Sequence, residues 1–249
     1  MGKKQIKKES VKPSSKNRLT PQQQLLFPGT SLFESIARAV CRAGVLPRKE
    51  LHEAWETAKR VRRRFRGGRV LDLACGHGLL AHIMLILDDT SKIALAIDKV
   101  IPENAQKLSN ALIDSWPRLK NRIIFQQASI EDITVLSEDI VVSVHACGSL
   151  TDLIMDKAIE QHARIAVLPC CHDTKLCTTN DLEGWLAPDL AIDAARAIRL
   201  KSMGYKILTQ KIPDTITPKN RLLMGEYPYR LPLRRPGISP DDSTADHLS

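Results

Sequence analysis

Aromatic residues are scarce, at 4% of the chain, so a surface of stacked Phe, Tyr and Trp rings for unpaired bases is poorly supported. Uninterrupted apolar runs approaching the roughly 18 residues of a membrane span are missing as well. The six cysteines (Cys41, Cys75, Cys147, Cys170, Cys171, Cys177) form no paired CxxC framework, which argues against a disulfide scaffold and a ribbon-type zinc site. Neither an apolar leader nor a lipidation signal is legible at the start. Ile6 stands where myristoylation wants Ser or Thr. A reducing, cytoplasmic location is the expectation.

What is present is a chain of 249 residues, 43% hydrophobic and 26% charged, long enough to bury a core without staples. Its net charge of +9 is unevenly placed: residues 1–69 hold 18 basic and 5 acidic side chains, whereas residues 70–249 hold 19 and 23. That asymmetry predicts an anionic partner gripped by phosphate and shape rather than by stacking. Residues 1–30, with seven basic side chains before Leu19 among Ser, Pro and Gln, read as a disordered basic arm. Residues 31–68 read as a basic helical region. One helix follows a Ser31 cap with Glu34 three residues on, and a second runs from Pro47 to about Phe65. The end of the second helix carries Lys59, Arg60, Arg62, Arg63, Arg64 and Arg66. Cations favour a helix C-terminus, but six in eight positions exceed that need and predict a phosphate-contacting patch. Lys219 and Arg221, at a later turn, are further candidates, weighed equally against a charged turn.

Beyond Gly68, short apolar runs alternate with amphipathic stretches, the pattern of a parallel sheet covered on both faces. Strands are expected at 69–74, 92–97, 122–127, 140–144 and 163–168, helices at 79–87, 102–116, 150–161 and 187–203, and a closing strand pair at 205–212 and 221–227. The fold class is therefore α/β, a Rossmann-like sheet over residues 69–227 that ends in an antiparallel hairpin. Residues 228–249 are Pro-rich and polar and read as a disordered tail.

The most specific segment is Val70-Leu71-Asp72-Leu73-Ala74-Cys75-Gly76-His77-Gly78-Leu79-Leu80, a strand entering a loop of small residues from which a helix leaves. Gly76 and Gly78 allow positive φ and close backbone approach to a ligand. Leu80 replaces the third glycine of a dinucleotide fingerprint, which disfavours a pyrophosphate cradle. Asp72 is placed to meet an ammonium group, and Asp98, ending the second strand, to accept two ribose hydroxyls. These residues resemble a class I S-adenosylmethionine-dependent methyltransferase over residues 70–227. The resemblance implies S-adenosylmethionine as cofactor, with Asp72, Ala74, Gly76 and Gly78 at its methionine part, Asp98 at the ribose, and Ser129 and Ile130 beside the adenine. Without a CxxxCxxC cluster motif, radical chemistry with that cofactor is disfavoured.

In this fold, the acceptor meets the methyl group at the fourth and fifth strand tips. Here those tips read His145-Ala146-Cys147-Gly148-Ser149-Leu150-Thr151-Asp152 and Pro169-Cys170-Cys171-His172-Asp173. The Asn-Pro-Pro-Tyr motif of many amine methyltransferases is not among them. HACGxxTD followed by PCCH is similar to the methyltransferase domain family that includes eukaryotic acceptor-stem tRNA 2′-O-methyltransferases. Those members' Cys/His zinc modules do not precede residue 70, and Asp173-Thr174-Lys175 follows His172 in place of another His and a basic residue. RNA, tRNA or another structured RNA, is the implied substrate, and ribose 2′-O-methylation within tRNA processing the implied reaction.

A ribose hydroxyl needs a base or oxyanion support. His145 is the first candidate, also placed beside the cofactor; His172 is the second, and Asp152 and Asp173 are orienters or caps. Alternatives are a cytosine carbon-5 methyltransferase using Cys147 or Cys170 as thiolate nucleophile, a protein or small-molecule methyltransferase, and a cofactor-binding interaction protein without catalysis. Irregular spacing and the adjacent Cys170 and Cys171 point away from a metal site, so no metal is expected and the cysteines read mainly as packing residues. The long link 170–186 reads as a substrate lid.

Overall fold

The structure, a computed structural model, describes residues 12–228. Residues 1–11 of the expected arm and 229–249 of the expected tail lie outside the described residues. One seven-stranded sheet organises the rest. β1 (Val70–Leu73), β2 (Ala94–Asp98), β3 (Ile123–Gln127), β4 (Ile140–Ser143) and β5 (Arg164–Val167) are parallel. β6 (Lys206–Lys211) and β7 (Arg221–Glu226) close it, with β7 antiparallel to both β5 and β6, in the order β3-β2-β1-β4-β5-β7-β6. The helices are α1 (Leu32–Ala43), α2 (Arg48–Arg64), α3 (Leu79–Leu87), α4 (Ala105–Ser115), α5 (Ser149–Glu160) and α6 (Pro188–Ser202).

Strand periodicity splits the core into two layers. Successive side chains leave a strand on opposite faces, so Ile140 and Val142 join the cluster with α1 to α4, while Val141 joins the cluster with α5 and α6. Buried on both faces, these strands read as apolar runs rather than as alternations.

The N-terminal helices are part of this core rather than an appended region. All of α3 except Leu87 is buried, because α2 covers the side that the sheet does not. Ile36, Val40, Leu51, Val61 and Phe65 share one cluster with Ile83, Met84 and Val142. The expected division between 31–68 and 69–227 is thus no boundary in packing. The arm is corrected too: from Lys12 onward the chain is ordered, with Leu19 and Phe27 buried. Leu19 N donates to Leu46 O at 2.8 Å, and Arg38 ties down the Phe27 and Gly29 carbonyls at 2.6 and 2.7 Å. Two apolar side chains with places in the core outweigh the polar composition around them.

Arg62 overturns part of the expected phosphate patch. It is 2% exposed; its guanidinium donates to Met84 O at 2.9 Å and Ser91 Oγ at 2.8 Å and pairs with Asp88 at 3.2 Å. It fastens α2 to the end of α3. Lys59 and Arg60 pair with Glu56, Arg64 with Glu226, and Arg66 donates to Leu87 O. Arg63, Arg64 and Arg66 remain exposed. All three lie at the end of α2 that leads into β1, about 20 Å along the helix from its first turns.

Candidate active site

The site forms where the parallel strands end. Asp72, 2% exposed, accepts from Ala81 N at 3.0 Å, bracing the loop against the first turn of α3. Asp98 Oδ2 accepts from Gly76 N at 2.8 Å, so one carboxylate from each of two neighbouring strand ends brackets the glycine loop. Ala74 holds the left-handed conformation at φ 57°, a strained state for a residue with a Cβ and common at functional sites. Gly78, at φ +71°, is packed so tightly that a Cβ would lie 2.8 Å from Phe125 Cε1; at Gly76 a Cβ would meet nothing within 4 Å. That open space beside a free loop face, between two carboxylates, suits a cationic, hydroxyl-bearing ligand. Ser129 opens a short turn after β3, its hydroxyl donating to Glu131, with Ile130 buried next to it, and Ala128 N donates to Asp98 O at 3.0 Å, joining the β2 and β3 ends.

A narrow crevice of about 30 Å³ is lined by Asp72, Ala74, His77, Val144, His145 and, from the N-terminal side, Leu46, Glu50 and Ala54. It admits a group the size of a carboxylate or ammonium, not a nucleoside. Asp98 and Gly76 lie part-exposed beside it. Burial, opposed by the Ala81 bond and reinforced by Asp98, pushes Asp72 up to about 7. Burial pushes the buried His82 down to about 4, and burial with Arg48 does the same to His52.

These shifts set a pH dependence of stability. Between about pH 6.5 and 4, the unfolded chain binds the three protons that folded His52, His82 and His145 refuse, while folded Asp72 keeps one that the unfolded chain has released. The net excess on the unfolded side means stability falls on acidification across that window, and near pH 7, where the unfolded histidines lose their last protons and folded Asp72 ionises, the opposing contributions nearly cancel. Melting temperatures are expected to rise from about pH 4.5 and to level off near neutrality; a profile flat over the whole range from about pH 4.5 to 7.5 would contradict the shifts.

His145 follows β4 and faces α2, its Nε2 3.7 Å from Glu53 Oε2. Burial, with Lys49 nearby, pushes the imidazole down to about 4, so it is neutral at physiological pH. Glu53, 2% exposed, is bound by Lys49 at 2.6 Å, and its pKa is raised, chiefly by burial. Sequence reasoning missed Glu50 and Glu53, because helical spacing shows that they share a face of α2 but not that the face lies over β1 and β4. On the same end run residues 15–19: Lys49 N donates to Ser15 O at 3.0 Å and Arg48 N to Asn17 O at 3.2 Å. Lys12, Lys16 and Arg18 are exposed there.

The β5 end is built differently. His172, its side chain 3% exposed, has Nε2 2.7 Å from Asp193 Oδ1. Asp193 also accepts from Arg221 Nε at 2.5 Å. Asp152 is gripped by both Nε and Nη2 of Arg196, at 2.9 and 2.8 Å, and Asp189 pairs with Lys219 and Arg221. Asp152 thus anchors a buried arginine, and Lys219 and Arg221 anchor α6, the arrangement of the charged-turn alternative for that pair. Asp173 accepts from Lys175 N at 2.9 Å and shapes a turn. His145 and His172 belong to separate networks, one facing α2 and the other α6. Cys147, Cys170 and Cys171 lie between those networks, with Sγ separations of 3.1 to 3.8 Å.

Six strands running in one direction, with an antiparallel seventh inserted between the fifth and the sixth, and a glycine loop bracketed by carboxylates at the strand ends, define the class I methyltransferase fold. A family model described as a methyltransferase domain matches residues 49–176, starting within α2. The chain belongs to this family, among the class I S-adenosylmethionine-dependent methyltransferases. The solved structure of the S-adenosylmethionine-dependent methyltransferase SibL superposes with a TM-score of 0.50 at 16% identity, covering 85% of this chain and 66% of that one. Two curated relatives are glutathione S-transferase C-terminal domain-containing protein homologs. That of Drosophila pseudoobscura pseudoobscura is 26% identical over 202 residues and that of Drosophila melanogaster 28% over 203, each match covering 65% of this chain. The match takes in 33% of each relative's length.

Proposed function

We propose that this chain transfers a methyl group from S-adenosylmethionine to RNA, with a ribose 2′-hydroxyl as the acceptor. The observation that carries the reading is the meeting, at one end of the sheet, of the carboxylate-bracketed loop, a neutral histidine and an exposed basic segment. The cofactor supplies an electrophilic methyl group on a sulfonium. Asp72 would hold its ammonium, whose positive charge restores the carboxylate to its ionised form, and Asp98 its ribose hydroxyls, with Ala74, Gly76 and Gly78 leaving room for the chain between. Ser129 and Ile130 would border the adenine.

His145, neutral and beside the crevice, would accept the hydroxyl proton, and Glu53 stands 3.7 Å away to stabilise the imidazolium that results. Its low pKa makes it a weak base, so much of the acceleration must come from positioning. His172 would support the β5 end from within its network. Lys12, Lys16 and Arg18 would meet phosphates near the site, and Arg63, Arg64 and Arg66 would meet them about 20 Å away, a span that fits a folded RNA better than a short strand. Trp185, 90% exposed on the link after β5, offers one stacking surface. A carbon-5 pyrimidine mechanism is less favoured, because burial and neighbouring thiols raise Cys170 and burial raises Cys147, keeping both protonated.

The test is methyl transfer from labelled S-adenosylmethionine to RNA from cells lacking the protein, with nucleoside mass spectrometry of the product. A 2′-O-methylated nucleoside is expected. Replacing Lys12, Lys16 and Arg18 by Gln should shrink the salt dependence of RNA binding by about three counterions at most. Labelling confined to protein or to small molecules would refute the RNA reading.

A further inference from the structure

Apart from Cys75, which lies part-exposed by itself in the glycine loop, the cysteines fall into two kinds. Cys41 and Cys177 are buried, as packing cysteines are, but Cys147 and Cys171 are exposed and Cys170 is half-buried. The last three converge from two strand ends. Cys147 and Cys171 form a parallel bridge beyond β4 and β5, closed by Gly148 N donating to Cys171 O at 3.2 Å. Cys147 Sγ lies 3.1 Å from Cys170 Sγ and 3.4 Å from Cys171 Sγ, and the latter two are 3.8 Å apart.

The adjacency of Cys170 and Cys171 argued against shared ligation, because neighbours on a regular strand point to opposite faces. β5 ends at Val167, however. Beyond it the chain leaves the pleat and both thiols turn toward Cys147. In a tetrahedral site with metal–sulfur bonds of about 2.3 Å, sulfurs are about 3.8 Å apart. The observed triangle approximates one face of such a site, with the Cys170–Cys171 edge at 3.8 Å and the two edges to Cys147 shorter, at 3.1 and 3.4 Å. A disulfide could join only two of these sulfurs, and packing gives no reason to leave two of them at the surface.

We propose that Cys147, Cys170 and Cys171 bind a thiophilic d10 cation, Zn2+ or Cu+, as three thiolates that clamp the β4 and β5 ends together. On binding, the three thiols release their protons to solvent. With Zn2+ the site carries one net negative charge and leaves a fourth position for an oxygen or nitrogen donor; Cu+ is satisfied by three sulfurs. The site is independent of which acceptor is methylated.

The full chain, purified under a phosphine reductant, is dialysed in separate arms against Zn2+ and against Cu+, and bound metal is measured by elemental mass spectrometry with chelator competition. One ion per chain is expected in at least one arm, and the arm that resists the chelator identifies the cation. Co2+ loading should give thiolate charge-transfer absorption and tetrahedral d–d bands. In the unmutated protein, the ion should protect Cys147, Cys170 and Cys171, but not the part-exposed Cys75, from alkylation mapped by peptide mass. Cys170→Ser should weaken binding by more than roughly 100-fold, beyond the loss of an outer-sphere partner, while Cys75→Ser keeps the ion. No stoichiometric metal in either arm, unprotected thiols, or a Cys147–Cys170 disulfide recovered after reductive loading would overturn the proposal.

Discussion

A chain starting at Arg69 is expected to lose its cooperative thermal transition and to aggregate, rather than to survive as a catalytic domain that has lost only its docking surface. The charge map alone suggests the opposite, since the basic excess sits in residues 1–69. Truncation there removes α1 and α2, whose Ile36, Val40, Leu51, Val61 and Phe65 share a cluster with α3 and the sheet. It exposes Ile83 and Met84 of α3 and deprives Asp88 of its buried partner Arg62. Breaking a buried ion pair from one side costs about 3 to 5 kcal/mol, a large part of the roughly 5 to 15 kcal/mol that holds a domain together. The lost apolar contacts add to that. Near-ultraviolet circular dichroism and cofactor calorimetry on the truncated chain test this directly. A cooperative melt with cofactor affinity intact would show that the N-terminal helices are separable after all.

Asp98→Ala is expected to lower affinity for S-adenosylhomocysteine by roughly 10- to 150-fold, the effect of losing about 1.5 to 3 kcal/mol of hydrogen bonding to a charged acceptor. Two contributions act together. The variant loses the acceptor proposed for the ribose hydroxyls, and it releases Gly76 N, now held at 2.8 Å, so the glycine loop is no longer braced from β2. Asp98→Asn, which keeps an acceptor oxygen but no charge, should fall between the two. Isothermal calorimetry resolves the series, and its thermal melts separate binding loss from unfolding because Asp98 is part-exposed. Affinity within threefold of the unmutated protein in Asp98→Ala would remove the carboxylate from the proposed cofactor site.

Much of this fold was legible along the chain. Among the described residues, each of the seven strands and six α-helices is close to its expected span, because buried parallel strands, amphipathic helices and glycine stops leave local marks. The loop from Asp72 to Gly78 was equally clear: small residues between an apolar strand and a helix report a close backbone approach wherever they occur. The reactive end was harder. His145 and His172 look like equivalent candidates in sequence, yet one faces Glu53 and the other Asp193. Asp152 has the composition of a catalytic carboxylate and is occupied by Arg196. Six basic residues around the end of α2 look like one patch, but Arg62 points inward and fastens α3. Charge counted along a sequence does not distinguish a side chain that meets solvent from one that satisfies buried carbonyls.

By itself, then, the sequence determined the sheet, its helices and the loop between Asp72 and Asp98, since those depend on residue periodicity and on backbone freedom within a few positions. Only the tertiary structure decided that α2 lies over the β1 and β4 ends, that Arg62, Arg196 and Arg221 serve the fold, and that three sulfurs from two strands meet within 3.8 Å. Most of those contacts join residues 20 or more positions apart, whose partners are chosen by packing and charge satisfaction in three dimensions.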